Sequence, residues 1–279
     1  MVSIKELDHA LILVRDLNDA DVAMRRLGFK ATPRGVHSEH MGTANSTIMF
    51  DDMTYFEIIG VLEPTPSNFD MREMLEHGEG LLGIAMKTDD ARATVVELSE
   101  VSAAGGEAVN FSRPVDMPAG PEEAAFSVAN IDSARSLGIK MFACQHHTPN
   151  VVWRPGYIEQ PNGAIGVSAV VGSTSDLDEA ERQMTVLFGD RVTTEGGAVT
   201  VKFDNASIAF KTRARLHQDH GIYVNGETKL QVLQLRTRSR EVTRRTLREN
   251  HIDFTDRGKD TVSVPPQAAC GATIEFVSK

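Results

Sequence analysis

The 279-residue sequence predicts an α+β fold of four βαβββ modules, pairing into two cups of strongly curved sheet. Three observations carry this expectation. A pattern of strand, capped helix and three further extended runs occurs four times along the chain. A Pro-, Gly- and Asn-rich stretch, "RPGYIEQPNGA", separates the second occurrence from the third. The length suits four such units, and one unit alone cannot bury its own apolar face.

The first module opens with "LDHALILVRDLNDADVAMRRLGF": an apolar strand, an Asp/Asn-rich N-cap region, a helix, and Gly28 where the helix should stop. "ATPRGV", "NSTIMFDD" and "MTYFEIIGV" follow. The last two read as strands, with Asp51-Asp52 in a tight turn between them. "LLGIAMKTDDARATVVELSEVSAAGGEAV" opens the second module, closed by "AAFSVANI" and "GIKMFACQHH". "AIGVSAVVGSTSDLDEAERQMTVLFGD" opens the third, closed by "AVTVKFDN" and "SIAFKT". "KLQVLQLRTRSREVTRRTLRENHIDF" opens the fourth, closed by "DTVSVP" and "GATIEFVSK". The helix starts align at Asp16, Thr88, Ser175 and Thr237. The expected domains are residues 1–160 and 161–279.

Charge and composition narrow the function. With 29 basic and 39 acidic residues, the net charge of −10 disfavours nucleic acid and anionic membranes as partners. The cluster "RTRSREVTRRTLRENH" carries six arginines but few apolar residues. It reads as a solvated helix face, with an anion-binding surface as the alternative. Cys144 and Cys270 form no CxxC motif, so no disulfide framework is expected. The N-terminus does not read as a signal peptide, and no apolar run reaches about 18 residues. A reduced, cytoplasmic compartment is expected. The sequence contains no P-loop, no dinucleotide-binding GxGxxG, no GxSxG and no HExxH.

The order of elements resembles the vicinal oxygen chelate superfamily, which includes glyoxalase I, extradiol dioxygenases and fosfomycin-resistance proteins. "LDHALILVRDL…RRLGF", "TPRGVHSEHMGTAN", "YFEIIGV", "FSRPVDMPAG" and "QHHTPNVVWRPGYIEQPNGA" look like a glyoxalase-like domain, and together cover residues 7 to 164. The resemblance implies one divalent metal (Fe, Mn, Zn, Ni or Co) on the cup floor. Its ligands would come from the first and last strands of two paired modules. It assigns His9 and Glu57 to two corners and His146 to the neighbourhood of a third. Gly83 or a neighbour takes the fourth, which offers no ligand. The second cup matches in pattern only, and no His or Glu stands at the corner positions of "AIGVSAVV" and "KLQVLQLR"; it is expected to be metal-free.

Strand parity bears on the same set. His9 would share a face with Leu7, Leu11 and Leu13, Glu57 with Tyr55 and Ile59, and His146 with Phe142 and Cys144. A carboxylate on such apolar faces is costly unless a metal or an ion pair relieves it. For Glu57 the competing partner is Arg113 or Arg34. For His146 the rival is its neighbour His147, which a bulge would exchange with it. His40, in the loop "HSEHMGTAN", and His147 are the candidate bases. Asn45, Arg113, Arg154, Trp153 and Tyr157 are candidate substrate contacts, each with an alternative reading as a turn, tie or packing residue. The expected function is a lyase or isomerase in which the metal chelates vicinal oxygens of a small molecule and stabilises an enolate or alkoxide. The alternatives are an Fe(II)-dependent dioxygenase of an aromatic compound and a non-enzymatic drug or metabolite binder. A homodimer is consistent with the resemblance.

Overall fold

The computed structural model describes residues 2–117, 120–225 and 227–278, the side chain of Asp116 excepted. The first half runs β1 (Leu7–Val14), α1 (Leu17–Arg26), β2 (Gly35–Val36), β3 (Thr43–Met49), β4 (Tyr55–Val61), α2 (Phe69–His77), β5 (Gly80–Lys87), α3 (Ala91–Glu100), β6 (Val109–Met117), β7 (Gly120–Asn130) and β8 (Lys140–His146). Two one-turn helices, α4 (Pro149–Val152) and α5 (Pro155–Ile158), lead out of it. The second half runs β9 (Ala164–Ser173), α6 (Leu177–Phe188), β10 (Val192–Glu195), β11 (Ala198–Lys202), β12 (Ser207–Lys211), α7 (Arg213–His220), β13 (Lys229–Thr237), α8 (Arg240–Glu249), β14 (Thr255–Arg257), β15 (Thr261–Val264) and β16 (Thr273–Val277).

Each half forms one eight-stranded sheet, ordered β2-β3-β4-β1-β5-β8-β7-β6 and β10-β11-β12-β9-β13-β16-β15-β14. The second order repeats the first with eight added to each strand. In both, the modules meet along an antiparallel pair of their first strands. Among the described residues no strand crosses between the sheets, so the two cups separate between residues 146 and 164.

The four module helices start alike for a local reason. Asp16, Asp90, Asp176 and Ser239 each accept a backbone N–H of the first turn. Gly28 follows α1 at φ +78°, where a Cβ would also come within 2.5 Å of Thr246. The inner faces of these helices bury Leu17, Ala20 and Met24 in α1, and Ala180, Met184, Leu187 and Phe188 in α6. The Arg-rich α8 buries only Thr243 and Leu247; Arg245 and Arg248 face solvent, while Arg240 and Arg244 are half-buried and pair with Asp256.

The helix-side faces of both sheets share a single core. Phe29 stacks on Phe276 at 5.8 Å, Asn205 exchanges two hydrogen bonds with the Leu7 backbone, and Thr54 accepts the Val167 N–H. Among the described residues four α-helices exceed the module pattern: α2, α4, α5 and α7. Among the described residues no helix is long and apolar enough to cross a membrane.

Candidate metal and substrate site

The concave face of the first sheet encloses a cavity of about 320 Å³. Alternation places Asn45 and Thr47 of β3, Tyr55, Glu57 and Ile59 of β4, and Phe142 and Cys144 of β8 on its wall. The edge strands β2 and β6 approach each other at Gly35 and Arg113, curling the cup toward a barrel.

Strand β1 breaks alternation at the decisive place. The β1–β5 register shifts between Leu7 and His9, making Asp8 the extra residue of a bulge. Leu7 therefore packs in the helix-side core with Ala10 and Ile12, while His9 and Leu11 face the cavity. The expectation that Leu7 and His9 share a face is corrected by this bulge. The same register shifts again at Leu82, opposite Leu11 and Ile12, so the two modules carry matching bulges.

That symmetry locates the corners. Leu11 faces Glu57 in the first module, and Ala85 faces Phe142 in the second. The pseudo-twofold exchanging β1 and β5 thus exchanges His9 with Gly83 and Glu57 with Phe142. His9 and Glu57 hold two corners, Gly83 and Phe142 the other two. The sequence expectation put His146 near the β8 corner; in the structure it lies two inward positions beyond that corner, because its strand continues past the cup floor.

His9 and His146 meet through Asp8. The fully buried Asp8 Oδ2 lies 2.9 Å from His9 Nδ1 and 2.7 Å from His146 Nε2. Burial alone would raise the Asp8 pKa, but the charges and hydrogen bonds of His146 and His9 outweigh it and hold the carboxyl far below its usual range. His9 Nε2 then faces Glu57 Oε2 at 3.7 Å, and Tyr55 stacks on the imidazole at 4.2 Å. On the opposite side of Glu57, Asn45 donates to Oε1 at 2.7 Å and His37 Nε2 stands 4.0 Å from it. His37 Nδ1 is tied to Thr43 Oγ1 at 2.8 Å. Burial lowers the His37 pKa, more than Glu57 raises it, so its imidazole is neutral and ligand-competent.

Two groups of ligand-type atoms result. In the first, two imidazole Nε2 atoms converge on the oxygens of Glu57 at distances too long for hydrogen bonds, with each Nδ1 held by its own partner. In the second, Asp8, Cys144 and His146 place ligand atoms within 4.8 Å of one another. Asp8 Oδ2 in that group already binds two imidazoles, and burial pushes the Cys144 thiol far above its ordinary pKa, keeping it protonated. In the first group both imidazole Nε2 atoms are left without a hydrogen-bond partner among the described residues.

The other sequence-predicted residues divide clearly. His40 is exposed at the cavity mouth and lines it. His147 lies outside the cavity, its Nε2 2.6 Å from Ser127 Oγ, so its expected role as a base lacks a route to the cup. Arg113 is buried and lines the cavity. Arg154 instead lies over the Tyr157 ring at 4.5 Å, behind the wall. Trp153 packs on His146 at 4.6 Å and on Tyr55 at 5.8 Å, supporting the site from outside. Sequence reasoning passed over Asp8, and it ranked His37 below His40 as a substrate or base residue without reading it as a ligand. The adjacency of Asp8 to His9 was the available signal for the first. For the second it was the loop "HSEHMGTAN", where His40 was preferred.

The second cup carries Glu275 where, counting from the matching bulges at Leu82 and Gln231, the first carries Phe142. Glu275 accepts from Gln234 Nε2 at 2.9 Å and lies 3.0 Å from Nδ1 of His220 on α7. A ligand-type residue at this corner was not foreseen, but protein donors already satisfy it.

A family model described as a glyoxalase-like domain matches residues 7–188. No functionally curated protein matches in sequence. The fold resembles a hypothetical protein from Staphylococcus aureus (TM-score 0.67, 14% identity, covering 99% of this chain and 100% of that one). It also resembles the Mn(II)-bound glyoxalase from Novosphingobium aromaticivorans (0.60, 12%, 100% and 83%). A mutant of 4-hydroxymandelate synthase from Streptomyces coelicolor is similar as well (0.61, 12%, 100% and 93%). At such identities the structural likeness speaks for the fold alone, while the domain match extends over most of the chain. The protein belongs to the glyoxalase-like domain family, and its fold is the one the vicinal oxygen chelate proteins share.

Proposed function

We propose that the protein is a metal-dependent enzyme, a lyase or isomerase acting on a small molecule with adjacent oxygens in the N-terminal cup. The observation that carries this reading is the convergence of His9 Nε2 and His37 Nε2 on Glu57, at 3.7 and 4.0 Å, inside an apolar cavity. His9 and Glu57 would hold a divalent ion with His37 as the nearest further donor, in place of the His146 expected from the sequence. Such an ion supplies Lewis acidity toward chelated substrate oxygens.

The chain's own residues have distinct tasks in this reading. Asp8 fixes the His9 tautomer so that Nε2 faces the cavity. Burial and the neighbouring Asp8 raise the Tyr55 pKa, so its phenol keeps its proton. Phe111, Phe126 and Phe142 keep bulk water from the reacting atoms. His40, lining the mouth, is the candidate to carry a proton in or out.

Two imidazoles and one carboxylate also suit Fe(II), so a dioxygenase is the second reading. Anaerobic purification, metal analysis and oxygen-uptake measurements across candidate substrates separate the two. Turnover supported by Mn(II) or Zn(II) without oxygen uptake supports the lyase or isomerase. Iron with substrate-dependent oxygen consumption refutes it.

A further inference from the structure

The metal reading leaves one buried cation of the cavity wall without a task. Arg113 is 7% exposed, and its guanidinium lines the cavity. Among the described residues no acceptor lies within hydrogen-bonding or ion-pairing distance of it. Glu57 is the carboxylate whose charge acts on it, but Oε1 of Glu57 takes the Asn45 amide and Oε2 faces His9. Leaving a buried cation without a directly bonded counter-group is costly, and the more distant charge of Glu57 does not outweigh the burial.

The surroundings keep the guanidinium accessible. Pro114 holds Arg113 extended in β6, where it pairs with Ala124. Across the seam, Gly35 leaves room for the side chain: a Cβ there would come within 2.8 Å of Arg113 Nη1 and 3.0 Å of Asn45 Oδ1. Beside it the Phe111 and Phe126 rings stack at 5.1 Å and 20°. The volume, about 320 Å³, is roughly twice that of an apolar cavity that holds benzene.

We infer that this cup takes a small monocarboxylate with an apolar body of about one ring, its carboxylate held by the Arg113 fork. Planar guanidinium matches a carboxylate with two parallel N–H donors, and the desolvated wall strengthens the pair. The inference names the substrate class for the enzymatic reading and rests on the same cavity being the substrate site.

Calorimetry with phenylacetate and its neutral isostere phenylacetamide tests it, using wild type, Arg113→Gln, Arg113→Lys and Glu57→Gln. Thermal unfolding confirms that each variant is folded. Wild type should prefer the acid by about tenfold or more. Arg113→Gln should abolish that preference while leaving the amide's affinity within about twofold. Arg113→Lys, which keeps charge but loses the fork, should fall between. Glu57→Gln removes a metal ligand and a neighbouring negative charge, so the preference should persist or grow. Absence of acid binding, equal affinities in wild type, or a preference surviving in Arg113→Gln overturns the inference. So does its loss in Glu57→Gln, which would assign the carboxylate to the metal. An acid preference intact in a protein that binds no metal refutes the metal reading alone.

Discussion

Replacing Asp8 by alanine tests the bulge that organises the site. The wild-type carboxylate is fully buried and holds His9 Nδ1 at 2.9 Å and His146 Nε2 at 2.7 Å. Alanine leaves both ring nitrogens without that partner. An unsatisfied buried polar group costs about 1–3 kcal/mol. Asp8 Oδ1 already lacks a partner, so removing it returns part of that cost. A net loss of about 2–4 kcal/mol follows, or roughly 4–16 °C in Tm for a chain of this size. Freed from Asp8, His9 can turn or change tautomer, and metal affinity should fall about 10–100-fold. Circular dichroism melts and calorimetric Mn(II) titration read both effects. Asp8→Asn, which keeps the shape and one acceptor, should lie between. Wild-type Tm together with wild-type Mn(II) affinity in Asp8→Ala would refute the reasoning.

Gly83→His should destabilise the protein rather than supply a fourth ligand. A Cβ at Gly83 would approach the Lys140 carbonyl oxygen to 2.5 Å, a backbone clash that costs about 1–3 kcal/mol and is measurable by denaturant unfolding. Asp219→Asn should reveal a pH-dependent contribution in the second cup. Burial raises the Asp219 pKa, but hydrogen bonds from Arg215 and Lys211 outweigh it, leaving the folded value below the unfolded value of about 3.9. The stability so gained is complete above about pH 4 and is lost as pH falls through the folded value. The variant should therefore be less stable at neutral pH by under about 1 kcal/mol after solvent screening, with the gap closing below about pH 4. A constant gap across that range would contradict the assignment.

The modular architecture was legible because its signals are local. The N-cap residues, the glycine after α1 and the apolar first strands each act within a few residues, and they recur. His9 and Glu57 were legible as cup-facing residues for the same reason, since strand alternation relates them to Leu11 and Ile59. What escaped sequence reasoning depended on register between distant strands. The bulge at Asp8 turns Leu7 away from His9, and the pattern "LDHALILV" carries no mark of it. The place of His146 required knowing that Phe142, rather than His146, is the counterpart of Glu57. His37 lies just after a two-residue strand, where no periodicity indicates a direction. Helix α7 escaped because "RARLHQDH" buries only Leu216 and His220, too little apolar surface to announce a helix.

Elemental analysis of wild type and single variants bears most directly on the metal site. Wild type should carry roughly one equivalent of divalent metal. His9→Ala and Glu57→Gln should carry almost none, while His146→Ala and Cys144→Ala should retain it. Full occupancy in His9→Ala and Glu57→Gln, or loss confined to His146→Ala and Cys144→Ala, would contradict the account and move the ion to the Asp8–Cys144–His146 group.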